Sequence, residues 1–238
     1  MPANVTQFMA VHQTRFGCTQ HRDNLRNYRR PAWSQDEPPD PGFAKPGAYI
    51  GIGGTLAFTL DGHSFDGRTA YKYVGGEELV ILPRLNKKDM LRGVVGFRAP
   101  QFALEFSYDR SRQQGTFGDE TVVAAFNAVN VDARIFFATR GRIQPHVVFG
   151  LAFPWLTIED GSFLPPDSIG DATFRGQGLN TELGVTAFVH PRAGVSVGYA
   201  YRPLWFNRVR GVSNTPGQLR PRFRESSGSI VMMGFFTF

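Results

Sequence analysis

A single cysteine, Cys18, in 238 residues excludes an internal disulfide and any multi-cysteine metal site. One stray thiol is compatible with an oxidising compartment and says no more than that. No stretch approaches the ~18 consecutive apolar residues that a membrane helix requires, so spanning by helices is excluded. The N-terminal stretch also lacks the apolar core of about 7–15 residues that a secretory signal needs. Thr6 and Gln7, then His12 and Gln13, interrupt Val5, Phe8, Met9, Ala10 and Val11. The expectation is a start upstream of Met1 or a trimmed chain. Charge is sparse at 19%, against about 25% for an ordinary soluble domain. Lysine is sparser still: of 26 basic residues only Lys45, Lys72, Lys87 and Lys88 are lysines. The arginine excess, with a net charge of +6, suits phosphate-bearing partners without specifying a fold.

What the chain has in quantity is Gly (27), Phe (22) and period-two patterning. Residues 1–46 stand apart. They carry Arg15, His21, Arg22, Arg26, Arg29 and Arg30, then the Pro-rich DEPPDPGFAKP, and no hydrophobic periodicity, which predicts a flexible extension before a second domain over 47–238. From Gly47 onward, apolar residues alternate with small or polar ones in segments bounded by Gly, Pro, Asn and Asp. Strands are expected over 47–60, 91–98, 101–109, 121–138, 143–156, 179–189, 193–205 and 227–238. The cleanest is 101–109, where Phe102, Leu104, Phe106 and Tyr108 oppose Ala103, Glu105, Ser107 and Asp109. In 121–138 the apolar set changes from even to odd positions near Ala128, which predicts a bulge there or a strand start nearer Val129. Short connections (99–100, 139–142, 190–192) alternate with long ones (61–90, 110–120, 157–178, 207–226). An all-β, eight-stranded antiparallel up-and-down barrel follows, trimmed at one end and elaborated at the other.

Alternation alone does not say which face points inward, but volume does. The interior of an eight-stranded barrel is just wide enough for side chains to fill. One face carries Phe, Leu, Ile, Val and Tyr, too bulky to fit inside eight times over. The other carries glycines together with Arg98, Glu105, Asp109, Asp132, Arg134, His146, Glu182 and Arg202, whose opposite charges neutralise one another if enclosed together. The apolar face therefore points to hydrocarbon and the ions fill a plugged lumen, making a transmembrane β-barrel. Trp155 and Trp205 at the long-loop ends, and Phe97 and Phe137 near the short turns, suit the two membrane interfaces.

The segments GAYIGIGGTLAFTL, ATRGRIQPHVVFGLAF, LNTELGVTAFVHPRAGVSVGYAYRP and SIVMMGFFTF, in this order and ending on Phe238, resemble the eight-stranded outer-membrane β-barrels of Gram-negative bacteria of the OmpA, OmpX and opacity-protein kind. The resemblance covers roughly residues 47–238. It implies a bacterial outer-membrane location, with Phe236 and Phe238 as the signal read by the barrel-assembly machinery, and surface loops that carry any binding.

No catalytic constellation stands out. His146 reads as a hydrogen-bonded interior histidine, because no serine of its own strand shares its face, while His63 and His190 have no local partner. The loop acids Glu159, Asp160, Asp167 and Asp171 fit no calcium motif, so neither metal nor cofactor is expected. Arg208, Arg210, Arg220, Arg222 and Arg224 lie where lipopolysaccharide phosphates would be met, and arginine's planar fork suits them. The arginines are not set among stacking aromatics on a strand face, so no nucleic acid is expected. The reading is a monomeric, structural or surface-interacting barrel, not an enzyme. Its alternatives are a soluble or periplasmic eight-stranded barrel binding a small hydrophobic ligand, and a lipid-A-modifying barrel enzyme.

Overall fold

The computed structural model describes residues 42–58, 65–68, 70–73, 79–86, 88–159, 171–210, 219–220 and 223–238. Eight long strands form a ring: β1 (Gly47–Phe58), β2 (Lys88–Arg98), β3 (Phe102–Phe117), β4 (Glu120–Phe136), β5 (Ile143–Ile158), β6 (Ala172–His190), β7 (Ala193–Arg210) and β8 (Phe223–Thr237). Each pairs antiparallel with its sequence neighbour, and β1 closes the ring on β8 from Tyr49↔Thr237 to Leu56↔Ile230. Closure leaves no sheet edge among the eight, which hydrocarbon would penalise at several kcal/mol per unpaired backbone group. A small separate sheet of Ala70–Tyr73, Leu79–Ile81 and Leu219–Arg220 joins the first long connection to the last.

The outward positions are the apolar set of the alternation. Phe106, Phe149 and Val197 are 49%, 57% and 43% exposed, whereas Glu105 and Arg134 are buried at 1% and 4%. A soluble barrel that gathers its oily face around a ligand is thereby ruled out. Phe149 lies midway along β5, between Ala133 and Thr181. Phe149→Arg should therefore lower folding stability in bilayers by about 2–4 kcal/mol, read from urea titration in lipid vesicles. No change would place that position outside the hydrocarbon.

Three expectations give way. Residues 110–120 are not a long loop: β3 runs to Phe117 and turns into β4 through Gly118 and Asp119, with Gly118 at φ +59°. That left-handed conformation suits a residue without Cβ. The extension escaped the hydrophobic pattern because Arg110, Arg112 and Gln114 face outward while Ser111 and Gln113 are buried, so both faces are polar. Nor is there a bulge near Ala128. β4 pairs with β3 without a shift from Phe102↔Ile135 to Phe117↔Glu120, and its even residues point inward throughout. What changes there is the surroundings: Phe136, Arg134, Asp132 and Asn130 give way inside to Ala128, Phe126, Ala124 and Val122. Phe58, which two-residue alternation along 47–60 would set outward in phase with Ile50, Ile52 and Leu56, is instead fully buried. A register irregularity between Thr55 and Phe58 turns it inward.

The lumen therefore has three layers. Near the short turns, Tyr49, Val94, Ala103, Phe136 and Met233 pack together. Ions occupy the middle. Toward the long loops an apolar core of Phe58, Phe126, Leu156, Phe174, Leu204 and Phe206 is closed by Phe65 and Leu82 from the first long connection. Beside this upper core the outer wall turns polar, with Arg110, Arg112, Gln114 and Arg175 exposed. The barrel is polar inside and oily outside across the membrane band, and the reverse for roughly 15 Å above it, at ordinary strand rise and tilt.

Of the expected extension 1–46, residues 1–41 lie outside those described. Residues 42–46 lie against the short turns: the Phe43 N–H donates to the Thr139 carbonyl (3.0 Å), the Lys45 N–H to the Pro191 carbonyl (2.9 Å), and Ala44 is buried.

Candidate functional site

The middle layer of the lumen is built by alternation and register. Residues spaced by two along each strand face inward, and pairing sets them beside one another: Glu105 opposite Asp132, Ala103 opposite Arg134, and Arg92 opposite Asp109. Glycines clear the space. A Cβ on Gly150 would lie 2.0 Å from Asp132 Oδ1, and one on Gly184 2.8 Å from His146 Nε2. The side-chain volume missing from one strand is occupied by the ion of the next.

Two neighbouring clusters result. In the first, Arg134 grips Glu105 with both arms, Nε donating to Oε1 (2.6 Å) and Nη2 to Oε2 (3.1 Å), while the Tyr49 hydroxyl also donates to Oε1. Arg134 Nη1 donates to Ser196 Oγ (3.0 Å) and lies 3.6 Å from Glu182 Oε1. His146 Nε2 is 2.7 Å from Arg134 Nη1 and 3.1 Å from Glu182 Oε1. A guanidinium only donates and a carboxylate only accepts, so this one nitrogen serves one of the two at a time.

In the second cluster Asp132 accepts from Arg92 Nη2 (2.8 Å) and from Asn180 Nδ2 (2.9 and 3.0 Å to its two oxygens). Asp109 accepts from Arg202 Nη1 (2.8 Å) and Asn130 Nδ2 (3.0 Å), with Arg92 Nε 3.5 Å from its other oxygen. Arg202 Nε donates to Asn180 Oδ1 (3.1 Å). Arg98 stands apart, donating to Gln144 Oε1 and lying over the Phe136 ring at 3.6 Å. Arg92, Arg98, Arg134 and Arg202 are matched in number by Glu105, Asp109, Asp132 and Glu182, all buried. Ions enclosed in this way are tolerable only when paired and hydrogen-bonded.

All eight residues expected in the lumen lie there: Glu105, Arg134, His146 and Glu182 in the first cluster, Asp109, Asp132 and Arg202 in the second, and Arg98 apart from both. Arg92, Tyr49, Asn130, Asn180 and Gln144 are further members. Arg92 shares the two-residue phase of Arg98 on β2, and Tyr49 that of Gly51 and Gly53 on β1, so alternation sets both on the inner face without marking a role for either. The structure also brings Thr186 Oγ1 to 3.2 Å from His146 Nδ1. Thr186, His146 and Glu182 thus line up as hydroxyl, imidazole and carboxylate, the order of a nucleophilic triad. Both Thr186 and His146 are buried, at 1% and 0% exposure. Among the described residues no three or more His, Cys, Asp or Glu side chains are grouped to hold a metal.

At the wall, Trp155 and Trp205 are half-buried at the long-loop side, Tyr108 lying 6.1 Å from the Trp155 ring. Phe97 and Phe137 are exposed near the short turns, and Phe236 and Phe238 face outward as an edge-to-face pair at 5.7 Å. Among the expected phosphate contacts, Arg208 and Arg224 are exposed, and Arg224 lies 5.9 Å over Trp205. The side chains of Arg210 and Arg220, and all of Arg222, lie outside the described residues, as do His63, Asp160 and Asp167. His190 Nδ1 accepts the Arg192 N–H (3.2 Å) in its turn, and Glu159 pairs with Arg112 at 2.8 Å.

No protein-family model and no curated protein matches this sequence. Solved structures do match. The outer membrane protein OprG from Pseudomonas aeruginosa aligns over 82% of this chain and 98% of its own, at 12% identity and a TM-score of 0.53. Neisserial surface protein A aligns over 81% and 97%, at 16% identity and a TM-score of 0.48. The N-terminal β-barrel domain of Pseudomonas aeruginosa OprF aligns over 81% and 100%, at 13% identity and 0.42. At such identities the likeness is one of backbone course, carried by OprG, and it agrees with the outward oily band and inward ions. The chain has the fold of the small eight-stranded outer-membrane β-barrels.

Proposed function

We propose that this protein resides in the bacterial outer membrane as a closed, non-conducting barrel, structural or surface-interacting, whose binding is done by its long-loop end. The observation that carries the reading is the neutral ion web across the middle of the lumen, capped by an apolar core. An ion crossing the barrel would have to break guanidinium–carboxylate pairs and then enter a layer of Phe and Leu. Either step alone opposes steady current. A role without catalysis is supported by the burial of His146 and Thr186. On this reading Phe236 and Phe238, both outward on the closing strand, serve recognition by the barrel-assembly machinery, and the exposed Arg208 and Arg224 meet lipopolysaccharide.

The test is planar-bilayer recording of the purified full chain, its folding checked by heat-modifiable migration on a gel. The expected result is no large, steady conductance. Sustained open-channel current from folded protein would overturn the closed-lumen reading.

A further inference from the structure

We propose that Arg175 and Arg208, side by side on the outer wall and next to Trp155, form a clamp for the phosphate of a phosphorylated glycolipid of the outer leaflet. The proposal rests on the membrane placement above and assigns its phosphate contact to the barrel wall.

Register sets the geometry. Arg175 on β6 is directly opposite Arg208 on β7, and on its other side directly opposite Trp155 on β5. Directly opposed residues hold their Cβ atoms about 5 Å apart, so two guanidiniums here can converge on one anion. Both side chains are exposed, and among the described residues neither has a side-chain hydrogen bond or ion pair. Like charges directly opposite destabilise a strand pair unless something of opposite sign lies between them.

A bulge aims the second arginine. The β6–β7 register shifts between Phe206 and Arg208, with Asn207 as the extra residue. Phe206 is buried in the upper core, and simple alternation would turn residue 208 inward beside it. The bulge turns Arg208 outward and returns Val209 to the core, which is how bulges re-aim side chains.

The surroundings select a lipid. Val129, Phe153, Pro154 and Trp155 line an outer groove that ends at Arg175 and Gly176. Trp155 belongs to the belt where the oily band gives way to polar wall, the depth of lipid headgroups. An acyl chain along the groove and a phosphate at its polar end match the two chemistries there. Arginine is the apt cation, since its planar fork binds phosphate through two parallel hydrogen bonds. One strand beyond, Arg224 over Trp205 adds a further positive group. Arg112, also exposed, is already engaged by Glu159 and serves as the control.

The probe is a bisphosphorylated, acylated glucosamine disaccharide, titrated against the detergent-solubilised full chain and followed by native mass spectrometry. Arg175→Gln/Arg208→Gln should weaken binding roughly tenfold or more, the loss of two charge-assisted contacts, while Arg112→Gln leaves it unchanged. The dephosphorylated glycolipid should bind the wild type as weakly as the bisphosphate binds the double variant. Excess inorganic phosphate should displace little, because it lacks the chains that fill the groove. Equal binding by the double variant, equal binding of the dephosphorylated lipid, or displacement by equimolar phosphate would each overturn the clamp. Heat-modifiable migration of every variant keeps folding apart from binding. Failure of the wild-type barrel to bind the bisphosphate while carrying no current would sink this proposal alone, and current from a lipid-binding barrel would sink only the closed-lumen reading.

Discussion

Arg134→Met should lower the unfolding free energy by about 3–5 kcal/mol, the usual cost of removing one partner from a buried ion pair. The substitution leaves Glu105 with only the Tyr49 hydroxyl and takes a donor from Ser196. Most of the loss is the burden of an uncompensated carboxylate rather than the worth of the pair. Glu105→Gln combined with Arg134→Met should therefore recover more than half of it. Urea titration of vesicle-reconstituted wild type, Arg134→Met, Glu105→Gln and the double variant, read through tryptophan emission and gel migration, completes the double-mutant cycle. A loss under about 1 kcal/mol in the single variant would mean that water reaches Glu105 and that the lumen is not sealed there.

Phe126→Ala should cost a comparable amount, about 3–5 kcal/mol, for a different reason. Phe126 is buried in the upper core, its ring 4.7 Å from that of Phe58, and its removal leaves a cavity that stiff neighbouring strands cannot close. Phe106→Ala is the comparison. That ring lies on the oily outer wall, where acyl chains move into the vacated space. It loses apolar transfer energy without the cavity contribution and should cost clearly less. The Phe126→Ala loss should also be the same in thin and thick bilayers, because its core lies beyond the membrane band, whereas that of Phe106→Ala should follow the host lipid. Equal losses at the two positions would contradict the reversal of inside and outside between the two halves of the barrel.

This reversal explains which parts of the fold were legible and which were not. Wherever one face meets hydrocarbon and the other meets ions, alternation is strong. Strand β3 up to Asp109 and strand β8 from Ser227 could be read residue by residue. Beyond Asp109 the outward residues are Arg110 and Arg112, and the inward ones Ser111 and Gln113. The strand continues, yet its apolar contrast is gone, and a pattern reader takes it for loop. At Ala128 contrast returns with the opposite sign and mimics a bulge. The register irregularities near Phe58, at Asn207 and at the start of β7 (Ala193/Gly194) left no periodicity signal, because a bulge is an adjustment to a neighbouring strand. The ion web was half legible: charge and volume placed its members inside without saying that Arg134 grips Glu105 or that Arg92 bridges Asp132 and Asp109.

By itself the sequence determined that the chain makes strands, that one face is too bulky for a narrow barrel interior, and that the charged face must therefore be enclosed. Those conclusions need only the two-residue period and the sizes of side chains, which are properties of each strand alone. The tertiary structure decided which arginine meets which carboxylate, that Tyr49 reaches Glu105, that Phe58 turns inward, that an apolar core stands above the ions, and that Arg175 and Arg208 share one stretch of wall. Each depends on register between strands distant in sequence and on closure of β1 against β8. Pairing is settled by the whole ring at once, and no local pattern of residues encodes it.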